Sequence, residues 1–265
     1  MNYLDAPLDF NDPRVVDAYD ELPLWSAPFG AMMLDRIPMG SAMTVLDVGC
    51  GTGFPLLELA GRLGPAARLV GIDNWHGAVE RARAKAKTYG LKNVEIVEGD
   101  AAHMTFEDHS VDLITSNLGI NNFADPDAVL RQCFRVLRPA GTLAVTSNTF
   151  GHMCEFYGQF ARALPKEALP KLEEHIAHRS TPDAIAARIE MAGFKVSDRA
   201  TDSFRMRFAN GAALFNHYFI RLGFLPAWKD IVPERDRAQV FQALESAMPG
   251  EISLTIPCVY IAARK

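Results

Sequence analysis

A nine-residue segment, VLDVGCGTG at residues 45–53, decides the fold of this 265-residue chain. Its apolar half predicts a buried strand over 44–48, and its three alternating glycines predict a tight turn. Glycine adopts positive φ without steric cost and lets the backbone approach a ligand closely. Apolar residues at helical spacing follow over 54–62. The segment therefore predicts a strand, a glycine turn and a helix whose N-terminal N–H groups face a ligand.

Short apolar runs and helical patterns alternate on both sides of this segment. Strands are predicted at 44–48, 68–72, 94–97, 111–116, 142–147, 194–196 and 252–262. Helices are predicted at 54–62, 77–89, 125–137 and from about 181 to Gly193. Such alternation indicates parallel βαβ units, and right-handed crossovers place helices on both faces of the sheet. The sequence therefore predicts an α/β fold around a mostly parallel, seven-stranded sheet.

Three segments fall outside the alternating pattern. Residues 1–40 are predicted to form an N-terminal helical segment ahead of one large domain over 41–265. Within that domain, insertions at about 151–180 and 203–250 are rich in aromatic residues. The aromatic residues of the second insertion include Phe204, Phe208, Phe215, Tyr218, Phe219, Phe224 and Trp228. An aromatic stripe is most often core, and the functional alternative is a helical lid that excludes water from an apolar acceptor.

The composition is ordinary for a globular protein, with 49% hydrophobic and 22% charged residues. A net charge of −5 without a basic stripe argues against a nucleic-acid partner. No apolar stretch of about 18 residues occurs, so no membrane span is expected, and the first residues do not resemble a signal peptide. The four cysteines are widely spaced, which argues against a zinc site or a disulfide framework. They predict reduced thiols in a cytoplasmic protein without a bound metal.

The spacing of the glycines and the charge of Asp47 distinguish between two ligands that the glycine turn could bind. Dinucleotide-binding turns follow GxGxxG, whereas this chain has GxGxG, and Phe54 stands where the third glycine of that fingerprint belongs. Asp47 stands two residues before the first glycine. A pyrophosphate would be repelled by a neighbouring carboxylate, whereas a ligand with an ammonium group would be attracted. Charge therefore favours S-adenosylmethionine (SAM) over NAD.

The segment LDVGCGTG resembles motif I of the class I SAM-dependent methyltransferases, a family with a Rossmann-like fold. In that family this loop wraps the methionine end and the ribose of SAM. The resemblance implies that Gly49, Gly51 and Gly53, with Cys50 between them, form the cradle for SAM. It also implies that Asp47 lies near the methionine moiety. A plain strand-to-helix turn is the structural alternative.

Two further acidic residues follow predicted strands in register with the family. Asp73 ends the strand LVGID, where the family places an acid that accepts hydrogen bonds from both ribose hydroxyls. The resemblance implies that Asn74 contacts the adenosine, that Asp100 accepts from the adenine amine, and that Ala101 donates through its backbone. A solvated loop carboxylate is the alternative for Asp73, and an Asx-turn is the alternative for Asp100.

The segment DLITSN at 112–117 resembles the fourth strand of the family, whose end faces the transferred methyl group. This match assigns Asn117 and Leu118 to the cofactor site. Many enzymes of the family that methylate DNA or amino groups carry an Asn/Asp-Pro-Pro-Tyr motif here, and this chain does not, which argues against base methylation. The turn at 138–143 resembles the family's LRPGG turn and is structural. The motifs cover about 40–150 and look most like the ubiquinone/menaquinone-biosynthesis-like branch of small-molecule methyltransferases.

The resemblance implies C- or O-methylation of a small, apolar or aromatic acceptor by in-line transfer, in which positioning supplies much of the rate enhancement. A general base is needed only if the acceptor must lose a proton. His152 is the first candidate base because it follows the fifth strand at the ligand-binding rim of the sheet. His103 and His217 are alternatives. Residues predicted to contact the substrate are Tyr19, Trp25, Asn121, Phe215 and Tyr218.

Two other functions stay open from the residues. One is a SAM-binding sensor or interaction protein without transferase activity, and the other is a nicotinamide oxidoreductase. The intact glycine turn does not separate the first of these from an enzyme. A homodimer also stays open, because nothing in the sequence decides the oligomeric state.

Overall fold

The computed structural model describes residues 2–5, 9–22 and 24–265. Parts of the predicted N-terminal segment, at residues 1, 6–8 and 23, lie outside the described residues. The strands are β1 (Thr44–Val48), β2 (Arg68–Asp73), β3 (Val94–Glu98), β4 (Val111–Asn117), β5 (Leu137–Asn148), β6 (Lys195–Phe208) and β7 (Ile252–Arg264).

Twelve α-helices lie in the described part of the chain. The first six are α1 (Pro13–Asp20), α2 (Ser26–Leu34), α3 (Leu56–Leu63), α4 (His76–Thr88), α5 (Pro126–Val136) and α6 (Cys154–Ala163). The others are α7 (Leu169–Ala177), α8 (Pro182–Met191), α9 (Gly211–Asn216), α10 (Tyr218–Gly223), α11 (Leu225–Ile231) and α12 (Arg237–Ala247). No helix in the described ranges has the length and hydropathy needed to cross a bilayer.

The seven strands form one sheet in the order β3-β2-β1-β4-β5-β7-β6. The first five strands in this order pair in parallel. β7 runs antiparallel to β5, because Ala140 N–H donates to Lys265 O near one end and Thr149 N–H donates to Pro257 O near the other. The predicted seven-stranded, mostly parallel sheet is confirmed.

The strand order reverses between β1 and β4, and this reversal positions the site. The chain moves one way from β1 through β2 to β3, and the other way from β4 to β5. Right-handed crossovers therefore place α3 and α4 on one face and α5 on the opposite face. Ligands of open α/β sheets bind outside the carboxyl ends of the strands at such a reversal.

Capping side chains fix helix starts that the sequence predicted. Asp125 accepts a hydrogen bond from Ala128 N–H at 2.8 Å and begins α5. Thr181 accepts one from Ala184 N–H at 3.2 Å and begins α8. Both caps are followed by proline, whose missing N–H is not needed in a first helical turn.

The chain divides into two compact units. The sheet unit comprises Phe10–Ser147, Thr181–Asp202 and Cys258–Lys265, and the helical unit comprises Met1–Asp9, Asn148–Ser180 and Ser203–Pro257. The core of the helical unit is aromatic, and its fully buried side chains include Phe156, Phe160, Phe215, Trp228 and Phe241. The action of the helical unit as a lid stays a prediction.

One strand is much longer than predicted. The prediction placed a short strand at 194–196, whereas β6 runs over Lys195–Phe208. Phe204 and Phe208 therefore lie on a strand and not on a helical stripe. From Phe204 to Phe208 apolar residues alternate with arginine, and this period of two is typical of strands.

Candidate functional site

The glycine loop after β1 has the backbone shape that its sequence predicted. Gly49, Gly51 and Gly53 have φ of +76°, +51° and +102°. A Cβ on Gly53 would lie 2.8 Å from Leu57 Cδ1, so the start of α3 packs closely on the loop. A Cβ on Gly51 would have no atom within 4 Å, so open space borders the backbone there. The loop thus exposes main chain to a space that a ligand can fill.

Asp73, at the end of β2, is tied to this loop. Its Oδ2 accepts a hydrogen bond from Gly51 N–H at 2.8 Å, and its Oδ1 accepts one from Trp75 N–H at 2.8 Å. A carboxylate has about four lone-pair sites, so each oxygen can accept a further bond. Asp73 is half-buried and can therefore accept from a ligand as well.

Asp47, in β1, is fully buried. Its Oδ1 accepts from Thr115 Oγ1 at 2.7 Å, while its Oδ2 has no partner among the described residues. Burial and, to a smaller extent, the charge of Asp73 together raise the pKa of Asp47 to about 7, against the hydrogen bond from Thr115. A buried acceptor without a donor costs free energy. The negative charge of the ionised carboxyl suits a cationic ligand. Because Asp47 is enclosed, a direct contact between its carboxyl and a ligand would require the glycine loop to move.

Asn117, at the end of β4, has a partnered side chain. Its Oδ1 accepts from Thr146 Oγ1 at 2.6 Å, and its Nδ2 donates to Ser26 O at 3.3 Å. These bonds join the ends of β4 and β5 to the start of α2. The side chain of Asn117 therefore shapes the strand end, and its predicted contact with SAM stays a prediction.

Leu118 and Gly119 bring the chain after β4 close to the end of β1. Leu118 has φ of +67°, a left-handed shape that is rare for leucine and is often found at functional sites. A Cβ on Gly119 would lie 2.4 Å from Ser116 Oγ and 3.1 Å from Val48 O. The ends of β1 and β4 thus meet at the reversal of strand order, beside the glycine loop.

On the predicted adenine side, Asp100 forms the turn that was its structural alternative. Its Oδ1 accepts from Ala102 N–H at 2.9 Å, and its Oδ2 lies 2.9 Å from His103 Nδ1. The backbone bond from Ala102, with the bond to His103, holds the pKa of Asp100 below its usual value. Asp100 and Asn74 are exposed, whereas Ala101 is buried. Their contacts with adenine stay predictions.

Tyr19, in α1, lies beside the acid predicted to bind ribose. Its ring contacts Trp75 edge-on, with 5.2 Å between centroids. Burial raises the pKa of Tyr19, and the nearby charges of Asp73 and Asp20 add to this. Tyr19 thus lies near the side predicted to hold the cofactor, and its predicted contact with the substrate stays a prediction.

Asp20, the last residue of α1, fixes that helix to its neighbours. It accepts from Lys85 Nζ at 2.5 Å and from Arg81 Nε at 2.9 Å, both in α4. It also hydrogen-bonds Thr52 of the glycine loop. Sequence reasoning missed Asp20 and Trp75, although Trp75 follows closely after a predicted binding acid.

Residues 39–191 match a protein-family model described as "Methyltransferase domain". The match covers more than half of the chain. The chain belongs to this methyltransferase family. It is of the class I, SAM-dependent kind, and SAM is its cofactor. The alternative of a nicotinamide oxidoreductase is therefore wrong.

Two relatives and one solved structure define this likeness. The chain is 32% identical over 164 residues to a demethylmenaquinone methyltransferase of Lactococcus lactis. The match covers 62% of this chain and 63% of the relative, so the chain spans less than two thirds of that relative's length. The chain is 27% identical over 254 residues to a nocamycin O-methyltransferase of Saccharothrix syringae, covering 89% of this chain and 90% of the relative. A SAM-dependent methyltransferase structure from Aquifex aeolicus shares the fold, with a TM-score of 0.56, 24% identity and coverage of 71% and 92%.

Trp25 and Asn121, predicted to contact substrate, lie in the sheet unit of the methyltransferase. The half-buried ring of Trp25 lies 5.7 Å from that of Phe29 between centroids. Asn121 Nδ2 donates to Ser147 Oγ at the end of β5. Both residues are partly exposed, and their roles toward a substrate stay predictions.

His152, the predicted base, lies in the helical unit of the methyltransferase and is 3% exposed. Burial lowers the pKa of His152 to about 3, with the charge of Arg179 acting in the same direction. A base with so low a pKa holds a proton weakly at neutral pH. The structure therefore gives little support to His152 as the base.

Phe215 and Tyr218 differ in their surroundings within the helical unit. Phe215 is fully buried, and its ring lies 5.4 Å from those of Tyr3 and Phe241 between centroids. This packing favours the core interpretation over a substrate contact. Tyr218 is half-buried, with the guanidinium of Arg221 5.9 Å from its ring centroid. Its contact with a substrate stays a prediction.

Proposed function

We propose that this methyltransferase moves a methyl group from SAM to carbon or oxygen of a small, apolar or aromatic acceptor. The observation that carries the proposal is the junction of Gly51 with Asp73, because it places a fixed acid beside open glycine backbone. The two relatives are named for demethylmenaquinone and for nocamycin O-methylation, which supports a small-molecule acceptor.

In this proposal the residues of the sheet unit hold the cofactor. Asp73 accepts hydrogen bonds from the ribose hydroxyls, and the backbone from Gly49 to Gly53 takes the methionine end. Asp100 and Ala101 take the adenine. SAM supplies a methyl group that its sulfonium already activates. The chain therefore needs to bind, orient and exclude water, and orientation alone is worth on the order of 7–11 kcal/mol in favourable cases.

Proton removal is not assigned to His152 in this proposal. The pKa of His152 is lowered to about 3, so its ring takes up a proton poorly near pH 7. An acceptor that is already ionised, or that reacts through a nucleophilic carbon, needs no base before transfer. We therefore expect acceptors of this kind to react fastest.

Net charge and the state of the cysteines bear on the partners and the location of the protein. A net charge of −5 supports the absence of a nucleic-acid partner. Cys50, Cys133, Cys154 and Cys258 are free thiols, which supports a cytoplasmic location. A homodimer has no support from these observations and stays open.

Transfer of radiolabelled methyl from SAM tests the proposal. The full chain would be incubated with labelled SAM and separate phenolic, quinol and carboxylic acid acceptors, and the products extracted into an organic phase. We expect label in at least one product, and much less of it with the Asp73→Ala variant at the same SAM concentration. Tight SAM binding without transfer to any acceptor would instead favour the non-catalytic sensor. Methylation of protein or nucleic acid alone would contradict the small-molecule acceptor.

A further inference from the structure

Four polar side chains that no step above uses converge in the helical unit. The hydroxyl of Tyr157 lies 3.0 Å from His175 Nε2 and 3.5 Å from His152 Nε2. Trp228 Nε1 donates to the same hydroxyl at 3.4 Å. Because Trp228 is a donor only, the hydroxyl accepts from Trp228 and its own proton is free for a histidine.

The same cluster includes a cation, Arg179. Phe150 N–H donates to Ser180 O at 3.0 Å, which holds the segment after β5 beside the residues that follow α7. The charge of Arg179 acts on His152, Tyr157 and His175. Arg179 therefore lies within electrostatic range of the three side chains that share the hydrogen bonds.

Arg179 lacks the acidic partner that such an arginine usually has. Within residues 2–5, 9–22 and 24–265, no carboxylate pairs with its guanidinium. The group that would raise the pKa of Arg179 is the phenol of Tyr157, through the negative charge of its ionised form. Burial lowers the pKa of Arg179. A partly desolvated charge without a counter-charge costs free energy, so this site is suited to an anion from outside.

Among the described residues, Arg179 is the group that carries charge within the cluster near pH 7. Burial lowers the pKa of both His152 and His175, so both rings are neutral near pH 7. His178 is the other titratable group that acts on His175. One guanidinium among neutral donors matches one negative charge, which favours a carboxylate over a phosphate dianion.

The cluster is open on one side and aromatic on the other. His175 and Arg179 are half-buried and reach solvent, whereas His152, Tyr157 and Trp228 are buried. The ring of Phe224 lies 6.2 Å from His152 and 5.7 Å from Trp228 between centroids. The half-buried ring of His175, 5.6 Å from that of Tyr157 between centroids, is the one on which a flat aromatic ring can stack beside the polar groups.

We infer that Arg179, Tyr157 and His175 form a binding site for the carboxylate of a small aromatic acid. Arg179 supplies the counter-charge, Tyr157 donates its proton to His175 Nε2 and so orients that ring, and His175 Nδ1–H donates to the carboxylate. The inference goes beyond the proposed methyl transfer and does not depend on it, because acid binding is measured without SAM.

Calorimetry on the full chain tests the inference with matched pairs of acid and amide. The probes are benzoate and benzamide, 2-naphthoate and 2-naphthamide, and inorganic phosphate. We expect at least one acid to bind about tenfold or more tightly than its amide, and phosphate to bind more weakly than that acid. Arg179→Gln should remove the preference, and Arg179→Lys should keep part of it.

Arg235→Gln is the matched control, because this guanidinium is in the same unit but is exposed and pairs with Glu167 on the surface. It should bind the probes as the wild type does. Circular dichroism would verify that each variant is folded, and SAM affinity should be unchanged in all three variants.

Three results would overturn the inference. The first is equal binding of every acid and its amide by the wild type, and the second is an acid preference that survives in folded Arg179→Gln. Phosphate binding tighter than any carboxylate would also contradict it. Failure of SAM to bind would count against the proposed function alone, so the two failures are distinguishable.

Discussion

Gly51 N–H donates to Asp73 Oδ2 at 2.8 Å, and this bond joins the loop after β1 to the end of β2. Gly51 follows β1 and Asp73 ends β2, and these neighbouring strands are parallel, with Val48 opposite Ile72. The acid therefore has two roles, since it can accept from a ligand and it also holds the loop that surrounds the ligand. Changes at either residue should affect cofactor binding more than folding.

Asp73→Ala should weaken SAM binding by about 30-fold or more, because it removes charge-assisted hydrogen bonds worth roughly 1.5–3 kcal/mol each. Titration calorimetry would measure the affinity. Asp73→Asn keeps one hydrogen-bond acceptor, so its SAM affinity should fall by less than that of Asp73→Ala. Asp198→Ala, an exposed acid of the sheet unit, is the control and should bind normally. Unchanged affinity in Asp73→Ala would refute the ribose assignment.

Gly51→Ala should impair SAM binding beyond its effect on stability. A non-glycine residue in the left-handed region costs about 1–2 kcal/mol. Gly90→Ala is the matched control, because Gly90 also has positive φ, of +68°, with no atom within 4 Å of a Cβ. We expect similar losses of unfolding free energy in urea for both variants, and a loss of SAM affinity for Gly51→Ala alone. Equal affinity in the two variants would contradict a ligand at the loop.

Asp47 should make stability depend on pH in a defined direction. Its pKa is about 7 in the folded chain against an ordinary 3.8, so the folded state holds the proton more tightly. The stabilisation that comes from this tighter proton binding is fully present below about pH 4 and is lost as the pH rises through 7. Between these limits the wild type should lose on the order of 3 kcal/mol relative to Asp47→Asn. Urea unfolding of both proteins from pH 4 to 8 measures the difference, and a constant difference would contradict the raised pKa.

Phe215→Ala should destabilise the chain strongly. The side chain is fully buried among aromatic rings, and removing it costs about 3–5 kcal/mol in a packed core. Tyr218→Ala is the comparison. Because Tyr218 is half-buried, its removal should lower the free energy of unfolding by less. Thermal and urea unfolding would rank the two variants. A small loss for Phe215→Ala with impaired turnover would instead restore Phe215 as a substrate contact.

Strands and helix starts near the motifs were predictable because their signals are local. β1 was predicted with the bounds that it has, and the caps at Asp125 and Thr181 follow from one side chain bonding a backbone three residues on. Most of β6 was not predicted because it lies outside the βαβ pattern, and its aromatic residues Phe204 and Phe208 also fit the spacing of a helical stripe.

The site was only partly predictable, for a related reason. The positive φ of Gly51 follows from its residue type and its neighbours in the motif. The position of Tyr19 beside Asp73, and the convergence of Tyr157, His175 and Arg179, join residues from separate elements, and no local pattern marks them.

The sequence by itself determined the alternation of strands and helices, the glycine loop and the family, because periodicity and backbone preference are properties of neighbouring residues. Tertiary structure alone decided that Phe215 is core and that, among the residues the structure describes, one oxygen of the enclosed Asp47 is unpaired and Arg179 has no acidic partner. Burial and charge pairing depend on which distant side chains pack together, and this is fixed only when the chain has folded.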